Sequence, residues 1–427
     1  MATEALNSLE YRRVEITSVD GEKTIDLSGS LINTDYFEDL LSPCITMTMQ
    51  IMSQYSIYNG LPIQGGEKVL FEVVTPSGEF ALEMYVYKVS GLSSGSSQET
   101  FTLHLVSREG LTNETARVQK KYNKKPINEH VTAILRDVLK TDRFESENIE
   151  RTSNSFQFIG TLKKPFYVLT WLGPKSIPST SSSGKSGTAG KGVAGFLFYE
   201  NYEGFNFRSV DTLVSSTNTQ SSGGDKENIP TYQYTQITET NKTGNEYKIL
   251  NYGLEKNMDL MKSLRVGMYA NITYFYDIYT NGIEGITYKL SEEVNSTLGA
   301  DNEIPYPEEF ANRPSRILFR TSDVGINDEA GDKSDSGRDN VDMAKSFSRY
   351  NLLFTQSLNM TVPLNINLMV GKIINAQFQK IDASSSETDE RQSGYYLIKE
   401  LRHHFESGQM VTSLKLVRDS YGLYGAN

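Results

Sequence analysis

The chain has 427 residues, a net charge of −11 at pH 7 and 37% apolar residues. It is too long for a single hydrophobic core and predicts about two to four domains, and its acidic balance argues against a protein that holds nucleic acid through phosphate contacts. The one cysteine, Cys44, excludes an internal disulfide and a thiolate zinc cluster. No apolar run approaches the ~18 residues of a membrane span and no hydrophobic signal core opens the sequence, so we expect no membrane insertion and synthesis in the cytosol.

Residues 14 to 110 predict β structure. Polar and apolar residues alternate in ITMTMQI, and EKVLFEVVTPSGEFALEMYVYKVSG predicts two strands around the turn TPSG. In QETFTLHLVSREG the alternation places Phe101, Leu103 and Leu105 on one face of a strand and His104 on the other.

A helical pattern follows. In KPINEHVTAILRDVLKTDRF the apolar residues recur at helical spacing after Pro126, which suits a first helical turn. KKPFYVLTWLGPKS predicts a second short helix with Phe166, Leu169 and either Trp171 or Leu172 turned inward.

The middle of the chain alternates between loops and strands. The Ser/Gly-rich residues 176–195 predict a loop, and GFLFYENYEGFNFRSVDTL predicts a hairpin that turns near Glu203 and Gly204. From about 247 to 290 we expect further strands, among them LRVGMYANITYFYDIYTNGIEGITYKL with TNG as a turn.

Residues 291–340 are polar and predict loops, and DNVDMAKSFSRYNLLF predicts a helix capped by Asp339 or Asn340. Residues 356–420 return to a β pattern.

The two β ends of the sequence resemble each other. GGEKVLFEV, FALEMYVYKVSG and FTLHLVSREGL match MVGKIINAQF, GYYLIKELRHHF and TSLKLVRDSYGL in the same order. The matched residues are 305 to 311 positions apart: Gly66 with Gly371, Tyr85 with Tyr396, Leu105 with Leu416, Arg108 with Arg418, and Glu109 with Asp419. Alternating strands also resemble one another by chance, but we favour a duplication, in which the chain holds two copies of one small barrel separated by inserted domains.

No chemical motif supports catalysis. Neighbouring residues of a strand point to opposite faces, and neighbouring residues of a helix are about 100° apart, so His403 and His404 cannot share a metal in either structure. The segment around Gly184, Lys185 and Ser186 lacks the glycine five positions earlier that a phosphate-binding loop needs. Carboxylate pairs lie in polar segments without an apolar pocket to separate their pKa values, and we expect no enzyme, cofactor or metal.

Several long segments together carry a family resemblance. KPFYVLTWLGPKSIP with the Gly/Ser loop and GFLFYENYEGFNFRSVDTL after it, and SGYYLIKELRHHFESGQMVTSLKLVRDSYG at the end, are similar to the central baseplate hub protein of T-even-like contractile-tailed phages. That family is related to the hub portion of type VI secretion spike proteins. The positions that carry the resemblance are Trp171, Phe198, Glu200, Asn201, Gly204, Phe207, Arg208, Gly371, Gly394, His404, Gly408, Arg418 and Asp419.

The resemblance implies a mainly β fold with α+β insertions, built from two tube-like β-barrel domains per chain and inserted domains on the side of the spike. The expected domains are 1–110, the first barrel; 111–200, an inserted α+β domain; 201–255, strands that complete the first barrel or join domains; 256–340, a loop-rich second inserted domain; and 341–427, the second barrel.

The resemblance also implies a function. The expected protein is a structural component of the virion, made in the host cytoplasm: a homotrimeric hub that joins a trimeric spike to the sixfold tail tube and contacts neighbouring wedge proteins. The tape-measure protein and DNA are expected to pass through its bore without specific binding. A cell-wall carbohydrate hydrolase and a receptor-binding tail protein are the alternatives, and the loops 176–195 and 327–340 are expected to order at least in part on assembly.

Overall fold

The computed structural model describes residues 9–95, 97–179, 195–214, 229–234, 247–256, 259–278, 281–290, 298, 313–322, 336–380, 388–389 and 391–420. The protein is mainly β, and thirteen strands of the described residues form one sheet. Among the described helices, none has both the length and the apolar character needed to cross a membrane. Residues 180–194 and 327–335, which belong to the two loops expected to order on assembly, lie outside the described residues.

The first part of the chain supplies seven strands of the large sheet. They are β1 Glu10–Thr17, β2 Thr24–Asp26, β3 Leu31–Asp39, β4 Thr46–Ser53, β5 Lys68–Thr75, β6 Gly78–Ser94 and β7 Glu99–Val106, and helix α1 spans Ile57–Gly60. Their alternating residues divide between the two faces, so that Phe101, Leu103 and Leu105 of β7 are buried and His104 is on the other face, as predicted.

An α+β region follows. It contains α2 Arg108–Thr115, β8 Lys121–Pro126, α3 Ile127–Ile134 with a π-helical turn at Leu135–Leu139, β9 Ser155–Ile159, α4 Pro165–Leu172, β10 Phe196–Asn201, β11 Gly204–Ser209 and α5 Val210–Val214. The predicted helices and hairpin are confirmed, and Phe166, Leu169 and Leu172 face a separate core that Trp171 also contacts.

A smaller sheet lies later in the chain. After β12 Thr231–Gln233 and β13 Asn251–Lys256 come α6 Leu260–Val266, β14 Ala270–Asp277, β15 Gly282–Lys289, β16 Arg316–Ser322 and α7 Ser336–Leu353. The order of this sheet is β15-β14-β16, and α7 packs against it: the Asn271 amide donates to the Ser348 hydroxyl at 2.7 Å.

The last part of the chain completes the large sheet with β17 Gln356–Pro363, β18 Ile373–Gln377, β19 Gly394–Glu406 and β20 Val411–Arg418. The strand order is β13-β17-β20-β19-β3-β4-β7-β6-β5-β1-β2, and β18 pairs with both β19 and β12. No closed circuit of strand pairs exists among the described residues, so the two expected closed barrels are not seen as such.

The two ends of the chain use the same strand order. The series β3-β4-β7-β6-β5 is antiparallel throughout, and so is the series β13-β17-β20-β19-β18. Strand β3 of the first series pairs with β19 of the second, so one sheet runs through both. We call these series the first and second half-sheets.

The structure corrects several local predictions. Residues Leu260–Val266 form a helix, so the expected strand starts only at Ala270. Helix α7 begins at Ser336, which places Asp339 and Asn340 inside it rather than at its cap. The region 291–340, which was expected to be rich in loops, contains β16, which pairs in parallel with β14. A parallel pairing joins residues that are distant in sequence and leaves little local signal.

Two matches of the sequence repeat are also wrong in detail. Arg108 is exposed at the start of α2, whereas Arg418 is fully buried at the end of β20. Tyr85 stands opposite Val106 in the first half-sheet. The residue opposite the corresponding Val417 is Leu397, so the structural counterpart of Tyr85 is Leu397 and not Tyr396.

Candidate functional site at the junction and the edges of the sheet

The two half-sheets meet where β3 pairs with the C-terminal part of β19, from Asp39 opposite Glu400 to Asn33 opposite Glu406. On the polar face of this seam, the Arg402 guanidinium donates to the Asp35 carboxylate at 2.8 and 3.0 Å. The ring of His404 lies between two carboxylates, with Nδ1 2.7 Å from Asp35 and Nε2 3.1 Å from Glu406. A charged network therefore joins the two halves.

His403 lies on the opposite face, as predicted for a strand. It is 1% exposed, its Nδ1 is 2.9 Å from the Thr412 hydroxyl, and its ring stacks on Tyr36. Burial lowers the pKa of His403 to about 3, so the ring is neutral. The two histidines belong to different faces and cannot form one site.

Glu38 connects three parts of the chain at the end of this seam. Its carboxylate accepts hydrogen bonds from the Val370 amide, the Tyr202 amide and the Tyr36 hydroxyl, all at 2.7 Å. It is only 3% exposed. Burial raises its pKa to about 7, although the three hydrogen bonds and the nearby Lys372 act to lower that pKa. We call this contact between β3, the β10–β11 hairpin and the β17–β18 connection the three-way junction.

The hairpin fits closely against the second half at this junction. The Asn201 side-chain amide donates to the Val370 carbonyl at 3.4 Å. Gly371 has a φ of +87°, and a Cβ there would lie 2.2 Å from the Tyr199 hydroxyl oxygen. Only glycine accommodates both this backbone conformation and this contact.

Glu200 attaches the hairpin to the first half. Its carboxylate accepts from the Ser107 hydroxyl at 2.7 Å, the Ile45 amide at 3.0 Å and the Arg143 guanidinium at 2.7 Å. The side chain is fully buried, and burial raises its pKa to about 7, with Arg143 the largest opposing influence. Gly204 sits in the turn of the same hairpin with a φ of +124°, where a Cβ would lie 2.2 Å from the Arg143 carbonyl oxygen.

Arg418 and Asp419 organise the end of the second half. The buried Arg418 guanidinium donates to the Gln356 side chain and to the carbonyls of Ser393 and Arg391, and lies 4.6 Å from the centre of the Tyr396 ring. Asp419 accepts from Arg349 of α7 at 3.1 Å and from the Leu298 amide at 2.9 Å.

The other motif positions have structural surroundings. Trp171 packs against Phe156 and Phe158, and Phe198 and Phe207 lie in the same core. The Arg208 guanidinium donates to Asn148 at 2.8 Å. Gly394 is the first residue of β19, with a φ of +130°, and Gly408 lies in the turn after β19, with a φ of +88°. Three of the motif positions, Glu200, Asn201 and Gly371, thus contribute to the three-way junction or attach its hairpin to the first half. Glu38, the residue at the centre of this junction, was not predicted from the sequence.

The half-sheets correspond in detail as well as in order. In β6 a bulge lies between Val86 and Lys88 opposite Leu105 and His104, and in β19 a bulge lies between Ile398 and Glu400 opposite Leu416 and Lys415. Before each bulge a glycine amide donates to the strand, from Gly66 to the Val86 carbonyl at 2.7 Å and from Gly371 to the Ile398 carbonyl at 3.1 Å.

The correspondence fails at one pair of edges. In the second half, the residues of β19 after the bulge pair with β3. In the first half, Lys88–Ser94 pairs only with β7, and no described strand covers its other side. β13, the counterpart of β3, likewise pairs only with β17 in the described part of the chain. We call these the β6 edge and the β13 edge.

Neither a protein-family model nor a curated relative matches the sequence. The fold is similar to that of the tail protein from Neisseria meningitidis MC58, with 11% identity and a TM-score of 0.52 over 95% of this chain and 96% of that one. It is also similar to the 43 kDa tail protein of prophage MuSo2 from Shewanella oneidensis, with 10% identity and a TM-score of 0.55 over 96% of this chain and 99% of that one. At the level of the fold, the expected resemblance to phage tail proteins is confirmed.

Proposed function

We propose that the chain is a structural protein of a phage virion, the central hub of a contractile-tail baseplate, which assembles as a homotrimer. The observation that carries the proposal is the repeated antiparallel strand order within one chain, joined through β3 and β19. Three chains with two alike halves each form six similar units around a threefold axis. Such a ring adapts a threefold spike to a sixfold tail tube, and the fold similarity to tail proteins over nearly the whole chain supports this assignment.

In this proposal the half-sheets descend from a duplicated tube-like barrel domain, and the inserted regions reach toward the spike. Strands β12 and β13 pair with the second half, through β18 and β17. The segment 201–255 therefore contributes these strands to the barrel of 341–427 rather than to that of 1–110.

The proposed partners follow from the ring. One face binds the first ring of the tail tube, the other holds the trimeric spike, and the rim contacts wedge proteins. The tape-measure protein and DNA pass through the bore, and a net charge of −11 disfavours adhesion of DNA to the wall.

We assign no catalytic activity to the chain. Glu38 and Glu200, the carboxyl groups of the described residues whose pKa values burial raises, are 3% and 0% exposed. Backbone amides and neighbouring side chains bind their oxygens, so a substrate has no access to them. Their contacts fit a structural role at the junction.

Light scattering of the purified chain tests the proposal. The expected mass is three times the 47.9 kDa of one chain, and negative-stain images of that species are expected to show a ring with six similar lobes. A dimer, or a monomer at every concentration and in the presence of spike protein, contradicts the hub. Release of cell-wall fragments by the purified chain contradicts the purely structural role.

A further inference from the structure

We propose that Glu38 and Glu200 form a proton-dependent clasp, which holds the β10–β11 hairpin to the two half-sheets while both carboxyl groups are protonated and lets the hairpin open when they ionise. The hairpin belongs to the α+β region between α2 and α5, so the clasp controls how that region is attached to the large sheet. The inference concerns a single chain and does not depend on the homotrimer.

The two carboxyl groups tie one hairpin to both half-sheets. Glu38 of β3 accepts from the amide of Tyr202 in the hairpin and from the amide of Val370 in the second half. Glu200 lies in the hairpin itself and accepts from the amide of Ile45 in the first half. A change of charge on these two groups therefore acts on the contacts that hold the hairpin in place.

Glu38 is buried without a cation to neutralise it. Among the described residues, no cation forms an ion pair with Glu38, and Lys372, whose charge acts on it, pairs with Glu203 at 3.1 Å. Ionisation of a buried carboxyl group without a paired cation is costly, so such a group keeps its proton at a pH where an exposed carboxyl group has lost it.

Glu200 shares its cation with a second buried carboxyl group. Nη1 of Arg143 is 2.7 Å from Glu200 and 3.6 Å from Glu109, which is 4% exposed. Oε1 of Glu109 accepts from the Thr141 hydroxyl, whereas Oε2 accepts no hydrogen bond from the described residues. One guanidinium group thus faces two buried carboxyl groups, and a proton on Glu200 removes the excess of negative charge.

Each carboxyl group has a hydroxyl neighbour that suits both protonation states. The Tyr36 hydroxyl is 2.7 Å from Oε1 of Glu38, and the Ser107 hydroxyl is 2.7 Å from Oε2 of Glu200. A hydroxyl donates to an ionised carboxylate and accepts from a protonated carboxyl group, whereas a backbone amide only donates. Glu38 and Glu200 can therefore each carry a proton without leaving that proton unpaired.

The direction of the pH dependence follows from the burial of the pair. Burial raises the pKa of both carboxyl groups from 4.5 to about 7. The stabilisation by each proton is therefore complete below pH 4.5 and is lost as the pH rises through 7.

Other titratable and charged groups surround the pair. They are Tyr36, Tyr199, Tyr202, Lys372 and Glu203 near Glu38, and Tyr36, Cys44, Glu109 and Arg143 near Glu200. Burial raises the pKa of Tyr36, Tyr199 and Cys44 above their ordinary values, so these three groups stay neutral while Glu38 and Glu200 ionise.

Hydrogen exchange between pH 6 and pH 8.5, measured by mass spectrometry, tests the clasp in the unmodified chain. The peptides to follow contain the amides of Ile45, Tyr202 and Val370, and a peptide of β5 is the reference for global unfolding. A carboxyl group with a pKa of about 7 in the closed state and 4.5 in the open state increases the opening equilibrium about tenfold over this range.

We therefore expect the protection factors of these junction peptides, corrected for intrinsic exchange at each pH, to fall about tenfold for each carboxyl group that the opening exposes. We also expect them to lie below the protection factor of β5 at every pH, because the hairpin opens without unfolding of the sheet.

Glutamine variants assign the effect, since glutamine cannot ionise. Glu38→Gln and Glu200→Gln are each expected to remove one tenfold step, and the double variant is expected to show junction protection that does not change with pH. Glu67→Gln is the matched control: Glu67 is 1% exposed and accepts from the amides of Gln64 and Gly65, outside the junction. This control is expected to keep the full pH dependence.

Infrared spectroscopy of the wild type decides the question if a variant fails to fold, because a protonated carboxyl group absorbs apart from an ionised carboxylate. We expect a protonated-carboxyl band that disappears with a midpoint near pH 7. A band that is already lost below pH 6 overturns the clasp, as do junction protection factors that do not change with pH or that equal those of β5 at every pH. Full pH dependence in the double variant assigns the protons to other groups and overturns the clasp as well.

Discussion

The packing of the three-way junction can be tested by adding a single methyl group at Gly371. Gly371→Ala places a residue with a Cβ at a φ of +87°, 2.2 Å from the hydroxyl oxygen and 2.9 Å from Cζ of Tyr199. The backbone strain costs about 1–3 kcal/mol, and forcing a methyl group into a packed core costs about 1–3 kcal/mol more. The expected loss in the free energy of unfolding is therefore about 2–6 kcal/mol.

The first half-sheet supplies the matched control. Gly66 has a φ of +96° and donates to the equivalent strand, but a Cβ there would come no closer than 3.7 Å, to a methyl group of Val19. Gly66→Ala therefore carries the strain of about 1–3 kcal/mol without the steric conflict. The difference between the two variants isolates the contact with Tyr199.

Urea unfolding measures both effects, with far-UV circular dichroism for the sheets and the fluorescence of the single tryptophan, Trp171, for the inserted core. In the double variant Gly371→Ala with Tyr199→Phe, removal of the hydroxyl is expected to restore part of the lost stability, with a coupling energy of about 0.5–3 kcal/mol. If the alanine variants at Gly371 and Gly66 cost the same, and Tyr199→Phe restores nothing, the hairpin does not pack on the second half as described.

Three further outcomes are expected. The folded-state pKa of Glu38, about 7, lies above its ordinary value of 4.5; its contribution to stability is therefore complete below that ordinary value and is lost as the pH rises through 7. When the pH is lowered from 8 to 4.5, the free energy of unfolding of wild type is expected to increase by up to about 3 kcal/mol relative to that of Glu38→Gln, measured by urea unfolding. Parallel pH profiles of the two proteins would show that Glu38 does not have a raised pKa. Arg418→Ala is expected to cost about 3–5 kcal/mol by the same assay, because it leaves several buried acceptors unpaired at about 1–3 kcal/mol each. Arg402→Ala, with its side chain 45% exposed, is expected to cost only about 0–1 kcal/mol, and equal losses for the two variants would refute the distinction. Wild type is expected not to retard duplex DNA in a gel at low salt, and Asp35→Asn with Glu400→Gln, which frees seam cations, is expected to bind weakly and with a steep salt dependence; binding by wild type would argue against a DNA passage.

Local patterns were enough to predict many of the elements. Alternation identified β4 to β7 and β19 to β20, and the hairpin between Phe196 and Ser209 was predicted with its turn. A strand's pattern marks which face is buried but not which strand lies beside it. The seam between β3 and β19 joins Asp35 to Arg402 across 367 positions, and no local signal specifies that contact.

The junction was partly visible in the sequence. In β3, the alternation that buries Thr34 and Tyr36 also places Glu38 on the inner face. A carboxylate at a core-facing position requires hydrogen-bond donors, which is a signal that sequence reasoning could have used. The donors themselves, Tyr202 and Val370, come from distant segments, and only the fold brings them together.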